Sequence, residues 1–142
     1  MRFVLDNSVV MRWLFGDGSK ADKNYSIAIL SLLEDVENQA VAPSIWPLEV
    51  ANVRARAESQ GLLTEARSAE FSGLLERMAI QIEIDTPAHA LGGILQLARR
   101  FNLSSYDASY LDLALRNGIP LATLDKGLIR AAGKTAVKVA NP

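Results

Sequence analysis

Apolar residues fall in short runs and helical stripes along the chain, never in long blocks. Phe3 to Leu5 is a brief apolar run that meets Asp6-Asn7-Ser8, three good helix N-caps. This predicts a buried first strand feeding a helix that closes at Trp13 and Leu14, before the polar loop Gly16-Asp17-Gly18-Ser19. From Asn24 to Asn38, Tyr25, Ala28, Ile29, Leu32, Leu33 and Val36 share one helical face. Ile27 and Leu30 fall on another side of that helix, a second apolar patch that places the helix either deep in the fold or against a partner. Ala40-Val41-Ala42 predicts a second strand ended by Pro43, with Ser44 capping a helix from Ile45 to about Gln60. Thr64 opens a helix with Phe71, Leu74, Leu75 and Met78 inward, and Gln81 to Ile84 alternates like a short strand. Thr86-Pro87 starts a helix whose Leu91, Ile94, Leu95, Ala98 and Phe101 face the core. A helix over Ser104 to Asn117, a strand over Ile119 to Thr123, a short helix from Asp125 through Ala132 and a last strand over Ala136 to Val139 complete the pattern.

Strands alternating with helices predict an α/β fold: one domain over residues 1–142, with a parallel sheet of about four to five strands covered by helices on both faces. No repeat, low-complexity tract or linker interrupts it. The absence of cysteine excludes disulfide frameworks and thiolate chemistry, and a single histidine excludes two-histidine zinc motifs. The N-terminal apolar run is too short for a signal peptide, and none approaches the roughly 18 residues of a membrane span, so a cytoplasmic protein with no membrane partner is expected. With 15 Lys and Arg against 16 Asp and Glu, the net charge of -1 gives no bulk sign of nucleic-acid binding.

In open parallel sheets ligands gather beyond the carboxyl ends of the strands, which selects Asp6 and Asp125. Both also precede helices, where Asp is a favoured cap. Asp107 shares a helical face with Tyr110, Leu111, Ala114 and Leu115, and a carboxylate on an apolar face needs compensation. The competing explanation is a capping box over Ser104-Ser105-Tyr106-Asp107. Ser105, Ser109, Asp112 and Arg116 fall on the opposite side, Asp112 and Arg116 as a surface ion pair. Glu49 shares a face with Asn52 and Arg56, which reads equally as a solvated stripe. Carboxylates converging on one crevice raise one another's pKa unless a cation sits among them. Hard oxygen donors without His or Cys suit Mg²⁺ or Mn²⁺ and phosphoryl chemistry.

Asp6-Asn7-Ser8-Val9-Val10, Pro43-Ser44-Ile45-Trp46-Pro47-Leu48-Glu49-Val50-Ala51-Asn52, Leu103-Ser104-Ser105-Tyr106-Asp107-Ala108-Ser109-Tyr110-Leu111 and Leu121-Ala122-Thr123-Leu124-Asp125 resemble, in order and spacing, the PIN-domain ribonucleases. More narrowly, the chain resembles a VapC-type toxin of a bacterial toxin–antitoxin pair. The resemblance implies a Mg²⁺- or Mn²⁺-dependent endoribonuclease in which Asp6, Glu49, Asp107 and Asp125 are catalytic and metal-binding. It implies Ser8 and Thr123 as supporting hydroxyls, a homodimer, and inhibition by a small antitoxin. It also implies in-line attack of water on RNA, leaving a 5′-phosphate and a 3′-hydroxyl. The chain is short after Ala131-Ala132, a departure from the family pattern.

Arg54, Arg56, Arg99, Arg100, Lys126 and Arg130 are candidate phosphate contacts that read equally as solvated helix faces, with Arg56 favoured by its place on the Glu49 stripe. Trp13 and Trp46 read as core or interface rather than base-stacking platforms, and His89 as a surface residue. The alternatives are a housekeeping PIN-domain RNA-processing nuclease, an inactive PIN-like binding module and, in a different class, a Mg²⁺-binding phospho-accepting signalling domain. The signalling domain wants adjacent acids after the first strand, where Asn7 and Ser8 stand; a haloacid-dehalogenase-like phosphatase wants an Asp at Ser8. With the four acids set aside, 12 acids face 15 bases, so the remaining surface is at +3.

Overall fold

The computed structural model describes residues 1–142. Strands β1 (Arg2–Leu5), β2 (Gln39–Pro43), β3 (Gln81–Glu83) and β4 (Leu121–Ala122) form one four-stranded sheet in the order β3-β2-β1-β4. Every pairing is parallel, with Phe3 opposite Ala40, Ala42 opposite Ile82 and Leu5 opposite Ala122. Successive strand side chains point to opposite faces, and Phe3, Val4 and Leu5 are all fully buried, so helices cover both faces of β1. From β1 the chain builds outward to β2 and β3, then returns to place β4 on the other side of β1. The crevice beyond the ends of β1 and β4 is therefore the switch point of the sheet.

Around the sheet lie α1 (Asn7–Phe15), α2 (Lys20–Leu32), α3 (Trp46–Ser59), α4 (Glu65–Met78), α5 (Thr86–His89), α6 (Leu95–Phe101), α7 (Ser105–Asn117) and α8 (Lys126–Gly133). A π-helical turn, Ala90–Ile94, joins α5 to α6. Helix α7 crosses β1, β2 and β4 while the α5–α6 segment packs on its other side, so residues 108 to 114 are buried all round. No helix is long and apolar enough to cross a membrane.

Several boundaries differ from the sequence reading. Helix α2 begins four residues before Asn24, because Ser19 and Asp22 form a reciprocal capping box. It ends at Leu32, leaving Val36 almost wholly exposed in the following turn. Ser44 does not cap α3; its amide donates to Thr86 Oγ1 at 2.9 Å. The expected strand over Ala136 to Val139 reduces to one bridge, Leu121 to Val139, and Tyr25 Oη ties the tail down by donating to the Ala140 carbonyl.

The largest correction concerns Asp112. Its pair with Arg116 forms at 2.7 Å, but Asp112 is buried rather than on a solvated face, because the α5–α6 segment covers that side of α7. Ser109, also read as outward, is buried there too, its hydroxyl satisfied by the Tyr106 carbonyl. Gly93 permits the approach: a Cβ there would meet Asp112 Oδ1 at 2.8 Å. Since Arg116 holds Asp112 in place, Gly93→Ala is expected to destabilise the protein by about 1–3 kcal/mol, read from the midpoint of denaturant unfolding.

Candidate active site

Asp6 occupies the N-cap position of α1, yet its side chain makes no capping bond. Instead Asp6 Oδ2 accepts from Ser8 Oγ at 2.5 Å and from Thr123 Oγ1 at 2.8 Å. Both hydroxyls are committed as donors by what they accept: Ser8 Oγ takes the Leu124 amide at 2.9 Å and Thr123 Oγ1 the Asp125 amide at 3.0 Å. The backbone after β4 thus fixes each hydroxyl proton toward Asp6, saturating Oδ2 and leaving Oδ1 without a protein partner.

Asp125 does cap its helix, accepting the Leu128 amide at 2.8 Å through Oδ1 only. At the start of α7, Ser104 Oγ accepts the Asp107 amide at 3.0 Å, but the Asp107 carboxylate does not return a bond to the Ser104 amide. The capping box is half formed, and the acid is left available. Glu49, in the first turn of α3, is not on a solvated stripe. It is half-buried, and its Oε1 accepts from Tyr110 Oη at 2.6 Å.

Asp6, Glu49 and Asp107 are each raised in part by neighbouring acids. Burial pushes the Asp6 carboxyl up to about 6, the Ser8 and Thr123 bonds oppose this, and the charges of Asp107 and Asp125 add to it. Burial also raises Glu49, offset by the Tyr110 bond and reinforced by Asp6 and Asp107. Asp107 is raised by burial and by Asp125, against the Ser104 hydroxyl. Tyr110 is pushed far above the usual phenol range by burial and by Glu49, which keeps it a donor.

A cation would relieve this crowding. No group of three His, Asp or Glu side chains is arranged to hold an ion by itself. Mg²⁺ does not require three converging side chains, because it retains several waters and uses one or two carboxylates plus substrate phosphates. The donor set is all oxygen, and Asn7 Oδ1 beside Asp6 is buried with no donor, an acceptor that a cation's bound water would satisfy. Asn7 and Glu49 line one cleft of about 350 Å³ with Ile45, Leu48, Asn52 and Tyr106.

Other expected contacts fall elsewhere. Arg56 lies in a neighbouring depression with Phe15, Asp17 and Gln60, which meets the Glu49 cleft through Asn52 and Val53. Arg54 is spent joining α3 to α4, donating to Ser68 Oγ and the Ser68 carbonyl. Trp13 donates to the Ser26 carbonyl and Trp46 is buried, so neither ring is open for stacking. His89, at the end of α5, is partly covered and lies near Glu83. Ile27 is exposed on α2, while Leu30 is partly covered.

The sequence reading missed Tyr110 as the partner of Glu49, Tyr106 as an exposed ring in the Glu49 cleft, and a polar chain behind α3. In that chain Arg116 donates to Glu83 Oε1, Thr86 Oγ1 to Glu83 Oε2, and the Ser44 amide to Thr86 Oγ1. Burial works to raise Glu83, but the bonds from Arg116 and Thr86 outweigh it and hold the carboxyl below its usual range. The chain fixes where α3 begins, and so where Glu49 stands. A polar residue just after a strand, as Thr86 is after β3, was the available signal.

A family model described as PIN domain matches residues 3–134. Among solved structures, PAE2754 from Pyrobaculum aerophilum is similar with a TM-score of 0.61 and 20% identity, over 92% of this chain and 87% of that one. FitAcB from Neisseria gonorrhoeae is similar with a TM-score of 0.51 and 22% identity, over 99% of this chain and 97% of that one. At such identities the likeness is one of fold. No curated protein matches the chain. PIN domains are generally nucleases and typically use divalent metals. The sheet order, the acids at its switch point and a family match running from β1 into α8 agree: the chain belongs to the PIN domain family, a nuclease fold.

Proposed function

We propose that the protein is a Mg²⁺- or Mn²⁺-dependent endoribonuclease and the toxin of a type II toxin–antitoxin pair of the VapC type. The observation that carries the nuclease reading is Asp6: it stands at a cap position but does not cap, with one oxygen saturated by Ser8 and Thr123 and the other free. A buried carboxylate so prepared, with the charges of Asp107 and Asp125 acting on it and its own charge acting on Glu49, is costly to the fold and calls for a positive ligand.

In this reading Asp6, Glu49, Asp107 and Asp125 are the metal-binding acids, one or two bound directly and the others through the ion's waters, and Ser8 and Thr123 hold Asp6. A divalent ion there would supply charge neutralisation for the scissile phosphate and a lowered pKa for the attacking water. Tyr110 fixes one oxygen of Glu49 and leaves Oε2 without a protein partner. Tyr106, 59% exposed in the Glu49 cleft, offers a face on which a substrate base would stack. Lone imidazole His89 leaves no pair for metal-free chemistry through a cyclic phosphate.

The toxin reading rests on the motif resemblance, and Ile27 on α2 is an exposed apolar point for an antitoxin or a second protomer. Producing the chain alone in bacteria is expected to arrest growth, with relief on co-producing the product of a small adjacent reading frame. Normal growth and the absence of such a neighbour would favour a housekeeping PIN-domain nuclease.

A further inference from the structure

We propose that the cleft between the end of α6 and the outer face of α8 is a phosphate-binding track for single-stranded RNA leading away from Asp125. The proposal rests on the nuclease reading for its ligand.

Charge is segregated along this chain. Residues 95–142 carry seven Lys and Arg against three Asp, whereas residues 1–94 carry eight against thirteen Asp and Glu. Within the basic part, Arg100, Arg130 and Lys134 line one cleft of about 290 Å³ with Phe101, Asn102 and Gly127. None of the three cations takes part in the ion pairs of the chain, which involve Arg12, Arg67 and Arg116. Arg100 is steadied over the Phe101 ring, 4.8 Å from its centroid. Three like charges gathered around one concavity without an acidic partner repel one another, and an anion between them relieves that repulsion.

The cleft adjoins the acid centre. Asp125 Oδ1 and Arg130 Nη2 both approach the point where a Gly127 side chain would begin, at 3.1 and 4.0 Å. Having no side chain, Gly127 leaves the passage between them open. Lys126 and Arg130 on α8 and Lys134 at its C-cap recur at four-residue spacing, away from the buried Leu128, Ala131 and Ala132. That places a cation about every 6 Å along the helix, a repeat suited to successive phosphates of an extended strand. A strand whose scissile phosphate sits at the acids would run its neighbouring phosphates over Arg130 and on to Arg100 and Lys134.

The test compares the full-length parent, R100Q/R130Q/K134Q and a control with three cations removed elsewhere, K20Q/K23Q/R77Q. Binding of a labelled single-stranded RNA is measured by anisotropy in chelator over a range of salt, and cleavage is measured with Mg²⁺. For the cleft variant the slope of log K against log salt is expected to shrink by about two, at roughly 0.7 per phosphate contact. Its KM for RNA should rise by roughly an order of magnitude or more with kcat little changed, while the control follows the parent. Unchanged affinity and slope in the cleft variant, an equal loss in the control, or a parent that binds polyglutamate through the cleft but no RNA would each overturn the track. A parent that binds RNA through the cleft yet cuts nothing would support the track and remove the nuclease reading. A cleft variant whose kcat/KM for RNA equals that of the cutting parent would remove the track alone.

Discussion

Asp107→Asn is expected to keep its fold and lose metal-dependent RNA cleavage by at least about 10²- to 10³-fold, measured as a single-turnover rate on a labelled oligonucleotide. The fold survives because the cap at the start of α7 is made by the Asp107 amide, which donates to Ser104 Oγ, and not by the Asp107 carboxylate. The same loss is expected for Asp6→Asn, whose amide oxygen still accepts from Ser8 and Thr123. A smaller loss of about 10- to 100-fold is expected for Thr123→Val, because Thr123 acts through Asp6 rather than on the substrate. Full activity in Asp107→Asn would falsify the assignment of that acid.

A second large effect is on stability, and its sign is opposite to that of most point substitutions. The Asp6 carboxyl is pushed up to about 6 from an ordinary 3.8, so the folded protein binds that proton more tightly than the unfolded chain does. The contribution of Asp6 to stability is therefore greatest below about pH 4 and is lost as pH rises through about 6. The cost of the bare carboxylate at pH 8 is about 3 kcal/mol, at 1.36 kcal/mol per unit. In chelator at pH 8, Asp6→Asn should be more stable than the parent by up to that amount, on the order of 10 °C in Tm. Adding Mg²⁺ should stabilise the parent and leave the variant unmoved. Differential scanning calorimetry from pH 4 to 8, with and without metal, reads both. A variant less stable than the parent in chelator at every pH would contradict the burial argument.

These effects trace to residues of unequal legibility in the sequence. Strands β1 and β2 could be read because both faces of a parallel sheet are covered and the chain answers with unbroken apolar runs, Phe3-Val4-Leu5 and Ala40-Val41-Ala42. Asp6 and Asp125 followed from the strand-end rule without any knowledge of packing. Helix α2 was misplaced for a local reason: its capping box, Ser19 with Asp22, is present in the sequence but was hidden by the glycines before it.

The remaining misses come from tertiary context. A helical wheel gives α7 one covered face, but a second layer packs on its other side, so Asp112 and Ser109 are buried against expectation. Glu49 looked like part of a solvated stripe because its partner, Tyr110, lies 61 residues away. The orientation of the Ser8 and Thr123 hydroxyls, which decides which Asp6 oxygen is free, depends on two backbone amides beyond β4. Pairings of this separation are set by the sheet order and have no signature in spacing.

The most direct measurement is the chemistry and position of the RNA ends the purified protein produces, read by sequencing 5′ ends with and without prior phosphorylation. The expected result is discrete cuts bearing 5′-phosphates that appear with Mg²⁺ or Mn²⁺, vanish in chelator and are absent with Asp107→Asn. Intact RNA under all of these conditions, or 5′-hydroxyl ends formed equally well in chelator, would contradict a metal-assisted acid centre built on Asp6, Glu49, Asp107 and Asp125.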